Sequence, residues 1–205
     1  MEPELSTPNR RLFGGALILA PLLLLASTTA YVVAGEGVNH GVSGGVIGVW
    51  SCLAMILAMI GLLRILEPHA PRATPWLLVL AVCGFGGGIA FNLSAVFDAV
   101  FEEVHQIAAV DTLWETEPGT FFAYLPWGWF APLSLLLVGI LLWRTHAVPR
   151  WNAALLAVSG VTFVASRIER VDPLALASDA LLIIALVPLG WALLTGARHR
   201  DRVNA

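Results

Sequence analysis

The segment FNLSAVFDAVFEEVHQ, residues 91–106, carries the densest set of side chains able to do chemistry in this chain. Asp98, Glu102 and His105 are spaced i, i+4 and i+7, so a continuous helix lays them along one face. Glu102 and His105 also form a Glu-x-x-His pair, the unit from which di-iron carboxylate sites in helical bundles are built. A site of that kind needs a second such pair, and the sequence holds none. What remains is a mononuclear divalent-metal site from His40, Asp98, Glu102 and His105, with Glu36 as a further oxygen donor. The competing reading is a solvated helix end whose charges sit among lipid headgroups.

Asn92 and Asp179 carry different information, because each falls inside an apolar run. Polar groups in such runs cost free energy in hydrocarbon and face the interior of a helix bundle or a cavity. Asp179 follows Arg167, Glu169, Arg170 and Asp172. Pairing of Asp179 with Arg167 or Arg170 would neutralise charge and lock two successive helices together. A proton or ligand site is the alternative use.

The elements that must position these residues are membrane helices. Of the 205 residues, 58% are hydrophobic and 12% charged, against roughly a quarter charged in soluble domains. Runs long enough to cross a bilayer, roughly 20 residues each, recur at about 12–34, 43–66, 75–100, 121–143, 150–167 and 174–196. The fifth is the weakest, with an uninterrupted apolar part only from Ala153 to Ala165. Trp151 and a snorkelling Arg167 would make up its length. The expected fold is therefore all-α, a six-helix transmembrane bundle forming a single domain over residues 1–205. Leu12 to Ala34 exceeds the apolar core of a signal peptide, so an uncleaved first helix is expected.

Orientation follows from arginine. Nine of the 11 arginines flank the side shared by the termini, and only Arg167 and Arg170 lie opposite. The positive-inside rule then makes the termini cytoplasmic, in a bacterial inner membrane. Acidic residues including Glu36, Asp98, Glu102, Glu103, Asp111, Glu115, Glu117, Glu169 and Asp172 gather on the outer side. Trp76, Trp143, Trp151 and Trp191 fall near inner helix ends, as interfacial belts require.

Several chemistries are disfavoured outright. The chain has no lysine, so retinal and pyridoxal phosphate have no amine to bind covalently. Cys52 and Cys83 lie inside apolar runs without a Cys-x-x-Cys and read as small buried hydrophobes. No organic cofactor is expected, and a divalent metal is the single cofactor alternative. Nothing matches a phosphate-binding loop, a dinucleotide fingerprint or a basic nucleic-acid surface, and the tail RHRDRVNA reads as an anionic-lipid contact.

Gly41-Val42-Ser43-Gly44 resembles the Gly-x-Ser-Gly motif of the rhomboid intramembrane serine proteases. That family takes its base from a histidine on a later helix. Here the later histidines are His69, His146 and His199 on the inner side and His105 among carboxylates, so Ser43 lacks an activating base. Gly44, Gly45 and Gly48 with Gly84, Gly87 and Gly88 instead predict close packing of the second and third helices. The segments 61–82 and 139–158 are weakly alike, matching His69 with His146 and Arg72 with Arg150. Either an internal duplication or the shared needs of short cytoplasmic hairpins accounts for this.

The stretches APLSLLLVGILLWRTHAVPRWNAALLAVSGVTF (131–163) and SRIERVDPLALASDALLIIALVPLGWALL (166–194) resemble the C-terminal half of a group of uncharacterised bacterial six-span integral membrane proteins. The resemblance implies the six-span topology and carries over no catalytic residue. The functional expectation is a non-enzymatic membrane protein that packs with a partner or a second copy, or has a sensing role at the outer face. The alternatives are a small transporter or binder with a polar cavity near Asn92 and Asp179, and an outer-face metal-dependent enzyme. The expected partners are the lipid bilayer and another membrane chain, not nucleic acid.

Overall fold

The computed structural model describes residues 6–35, 37–100 and 119–196. Among these residues the chain is all-helical: α1 Thr7–Ala34, α2 Val42–Leu66, α3 Thr74–Val100, α4 Gly119–Thr145, α5 Arg150–Ile168 and α6 Asp172–Thr195. Prolines open α1 and α6 in their first turns, where a missing amide costs nothing. Gly196 closes α6 in the left-handed conformation, φ 67°, which a side chain would disfavour. α1 starts ahead of the expected position because Pro8 begins the helix before Arg10 and Arg11 reach the apolar run.

Five helical segments are long and apolar enough to cross a membrane: α1, α2, α3, Gly128–Thr145 of α4, and α6. α5 is not among them. Its 19 residues include Asn152, Ser159, Ser166 and Arg167, and the three uncharged ones are buried against other helices.

Each helix packs on its neighbours in the chain, and α6 packs on α1, so the helices close into a ring in chain order. α2 also reaches across to α4. The first turns of α1 lie beside the last turns of α6, where Gly14 meets Gly190 and Arg10 meets Leu193, so the described chain begins and ends at one end of the ring. The outer surface is apolar: Leu19, Val79, Val161, Ile184 and Trp191 are all more than half exposed. A water-soluble protein rarely shows so large an apolar exterior, whereas a bilayer solvates it. Trp76, Trp143, Trp151 and Trp191 are exposed near the helix ends on the terminal side.

Lipid is as apolar as leucine, so helices in a membrane gain from close packing and hydrogen bonds rather than from expelling water. Small residues supply the close approach here. Gly14 and Gly190 bring the α1 and α6 backbones together, and a Cβ on either would come within 2.9 Å of the other's carbonyl oxygen. Gly139 lies against Ala153 and Ala157, and Gly160 against Pro132 and Leu136, joining α4 to α5. The expected α2–α3 seam is made by Gly45, Gly48 and Gly88. Two of the expected glycines serve other seams: Gly84 faces the α4 backbone at Phe130 and Ala131, and Gly44 lies under the Tyr31 ring of α1. A glycine pattern shows that a backbone can approach, not which neighbour takes the place.

The two similar hairpins also part company in three dimensions. Gly61 of α2 packs on Phe13 of α1, whereas the corresponding Gly139 of α4 packs on the following helix, α5.

Along the ring axis the interior divides in two. Near the termini it is one apolar cluster, including Leu17, Leu62, Leu66, Leu142, Leu186 and Leu189. Arg10 Nε donates to the Leu193 carbonyl at 3.3 Å and ties α1 to the last turn of α6. Toward the opposite end the buried side chains become polar.

Candidate functional site

Ser27, Thr28 and Tyr31 occupy the inward face of the last turns of α1, all at most 4% exposed. Thr28 and Tyr31 are three residues apart and so share a face. Each anchors one hydrogen-bonded group.

The first group joins α1, α5 and α6. Asp179 of α6 is completely buried, the one buried carboxylate among the described residues. Thr28 Oγ1 donates to Asp179 Oδ2 at 2.5 Å. Arg167 Nη2 donates to Thr28 Oγ1 at 2.8 Å and to both carboxylate oxygens at 3.3 Å. The guanidinium lies 4.8 Å from the centre of the Phe163 ring, four residues back on α5. Its Nη1 is buried with no hydrogen-bond partner among the described residues. Beside this group, Thr162 of α5 donates to Ser178 of α6 at 3.0 Å.

The second group joins α1, α2 and α3. Tyr31 donates its hydroxyl proton to Asn92 Oδ1 at 2.9 Å. Asn92 Nδ2 donates to its own helix at Gly88 O, 2.7 Å, and more weakly to Cys52 Sγ, 3.7 Å. Gly48 makes this placement work, because the Asn92 amide fills the volume a Cβ would need. Ser27 Oγ adds a bond to Gly44 O at 2.7 Å, again from α1 to α2.

The groups meet at α1, where Thr28 and Tyr31 lie one turn apart. Thr28, Asp179 and Asn92 lie about 9–12 Å inside their helix ends by helical rise, at hydrocarbon depth if these helices span. There, an uncompensated charge costs several kcal/mol or more, so a carboxylate and a guanidinium hold each other ionised only as a hydrogen-bonded pair. The arrangement is a charge-neutral polar junction.

Of the two arginines weighed for Asp179, Arg167 makes the ion pair. Arg170 is exposed in the turn after α5, with φ 50°. Asn92 faces the α1–α2 side and is half-buried. The four proposed metal ligands divide: His40 lies in the turn before α2 and Asp98 near the end of α3, both half-buried, while Glu102 and His105, like Glu36, lie outside the described residues. Among the described residues no three His, Cys, Asp or Glu side chains gather as metal ligands. Ser43 is exposed at the start of α2.

Sequence reasoning missed Thr28, Tyr31 and Asn152. Asn152 is 1% exposed, donates Nδ2 to Ala185 O at 2.8 Å, and leaves its Oδ1 unpaired in the apolar half. The available signal for Thr28 and Tyr31 was a polar pair at helical spacing inside a span, repeating the pattern that singled out Asn92.

Comparison with protein-family models, with curated proteins and with solved structures gives no match to this chain.

Proposed function

We propose that this chain is a non-enzymatic, six-span protein of a bacterial cytoplasmic membrane, with cytoplasmic termini, that senses or holds a ligand in the polar half of its helix ring. The arginine asymmetry and the likeness of residues 131–163 and 166–194 to six-span bacterial proteins support the topology. A ring that seats α5 between α4 and α6 also supports a sixth span, because its polar residues turn inward. The observation that carries the functional reading is the Arg167–Asp179–Thr28 junction, buried between three helices, with Arg167 Nη1 unpaired among the described residues.

Transport is less well supported than binding. A transport path would continue the polar lining through the terminal half, and the described core there is mainly aliphatic, with Asn152 buried in it but no buried ionisable side chain. The polar half is backed by a plug. Such a geometry suits a site entered from one end.

Hydrogen exchange on the purified protein in lipid nanodiscs tests the reading, with Asp179→Asn compared to the parent. The expected result is faster exchange confined to the polar-half segments of α1, α5 and α6, with the terminal halves still protected. Exchange that rises equally in both halves, or nowhere, would show that the junction is not a separate responsive element.

A further inference from the structure

We infer that the α4–α5 hairpin binds the phosphate headgroup of an anionic membrane lipid. This surface lies at the opposite end of the ring from the polar junction and is independent of it. Arg144 and Arg150 are the phosphate contacts, and His146 positions Arg150. Arg144 lies in the last turn of α4 and Arg150 opens α5, and both side chains are exposed. No aspartate or glutamate falls between Glu117 and Glu169 in the sequence. Among the described residues the single carboxylate at this end of the ring is Glu67, and Arg64 pairs with it at 3.0 Å. The α2–α3 hairpin therefore carries a counter-ion of its own, and the α4–α5 hairpin does not. Arginine holds a phosphate through two N–H groups at once, so the partner that fits here is a phosphate anion.

The hairpin is also shaped, not merely charged. His146 follows the last residue of α4 in the left-handed conformation, φ 54°, where α6 uses Gly196 at φ 67°. Glycine is the low-cost residue at such a position and a side chain there is strained, so a histidine points to a use for its ring. That use is a bond to Arg150. A guanidinium only donates, so His146 Nε2 accepts from Arg150 Nη2 at 2.5 Å and ties the first residue of α5 to the end of α4. The walls of the hairpin select a lipid over a free anion. Trp143 and Trp151 are exposed, and farther along the same helices so are Ile140 of α4 and Val158 of α5. Ile140 precedes Trp143 by three residues and Val158 follows Trp151 by seven, spacings that keep each pair on one helix face. A phospholipid sets its phosphate on the arginines, its interfacial part beside the tryptophans and its acyl chains on the aliphatic faces. Inorganic phosphate uses the arginines alone.

The test uses the full chain in neutral detergent micelles, with Tm followed by circular dichroism. Phosphatidylglycerol, phosphatidylcholine with the same acyl chains, and inorganic phosphate are added separately. Phosphatidylglycerol should raise Tm by about 5 °C at saturation, and the other two should not. Arg144→Gln combined with Arg150→Gln should lose the shift, while Arg72→Gln, at an exposed position of the α2–α3 hairpin, should keep it. His146→Gly retains the left-handed turn and removes the acceptor. It should be at least as stable as the parent without lipid, yet lose most of the shift. No shift with phosphatidylglycerol, an equal shift with phosphatidylcholine or inorganic phosphate, an equal loss in Arg72→Gln, or an undiminished shift in His146→Gly overturns the inference. Where the double arginine variant does not fold, Arg72→Gln and His146→Gly still decide whether the α4–α5 hairpin is the contact.

Discussion

In the half of the ring next to the termini, Leu62 of α2 and Leu142 of α4 are completely buried in one continuous apolar cluster. Farther along the same ring, α2 offers Gly48 and Cys52, and α1, α3, α5 and α6 bring Tyr31, Asn92, Arg167 and Asp179 to the interior. The first half is held mainly by shape, through many weak dispersion contacts, to which Arg10 and Asn152 add single bonds to the Leu193 and Ala185 carbonyls. The second is held by a few directional bonds, each naming its partner. In a solvent that is itself hydrocarbon, shape gives stability and the polar bonds set which helix faces which.

Breaking the junction from one side should have the largest effect. Asp179→Ala leaves Arg167 buried without its counter-ion, an expected loss of about 3–5 kcal/mol in chemical denaturation from mixed micelles. Replacing the pair together, Arg167→Met with Asp179→Leu, should recover most of that loss. A double variant as unstable as the single one would mean that the junction contributes more than charge balance.

Leu142→Ala probes the other half and should cost about 2–5 kcal/mol by the same measurement, through lost contacts and a residual cavity. Its effect should stay local, leaving hydrogen exchange in the polar half unchanged. Gly48→Ala comes next. The added methyl collides with the Asn92 amide, and an expected cost of about 1–3 kcal/mol should come with faster exchange in α2 and α3 near that contact. Arg170→Ala, at an exposed turn position, should change stability by less than about 0.5 kcal/mol. A large effect there would assign Arg170 a role that the ion pair does not require.

The apolar runs made the helices legible, because a segment that crosses a bilayer must be apolar for its whole length. α5 was the faintest in the sequence for a reason the packing explains: its polar residues point inward, and their number lowers its hydropathy without moving it out of the bundle. An ion pair for Asp179 was legible too, since a buried carboxylate demands a cation and two arginines precede it. The choice between them was not. Arg167 lies on the inward face of α5, while Arg170 falls beyond the helix in a left-handed turn. Thr28 and Thr29 show the same limit at adjacent positions. Thr29 returns its hydroxyl to its own helix at Leu25 O, 2.8 Å, whereas Thr28 reaches across to Asp179. Nothing in the two side chains distinguishes them; the facing helix does.

By itself, the sequence determined that this chain is built of apolar helices and that Asn92 and Asp179, polar residues inside them, need shelter from lipid. Those properties follow from transfer free energies, which depend on residue type and run length alone. Only the tertiary structure decided that α6 closes the ring on α1, that Thr28 and Tyr31 complete the polar groups, and that Arg167 rather than Arg170 pairs with Asp179. Hydrogen bonds act over about 3 Å and in fixed directions, so their partners exist only once helices distant in the chain have been brought to one place.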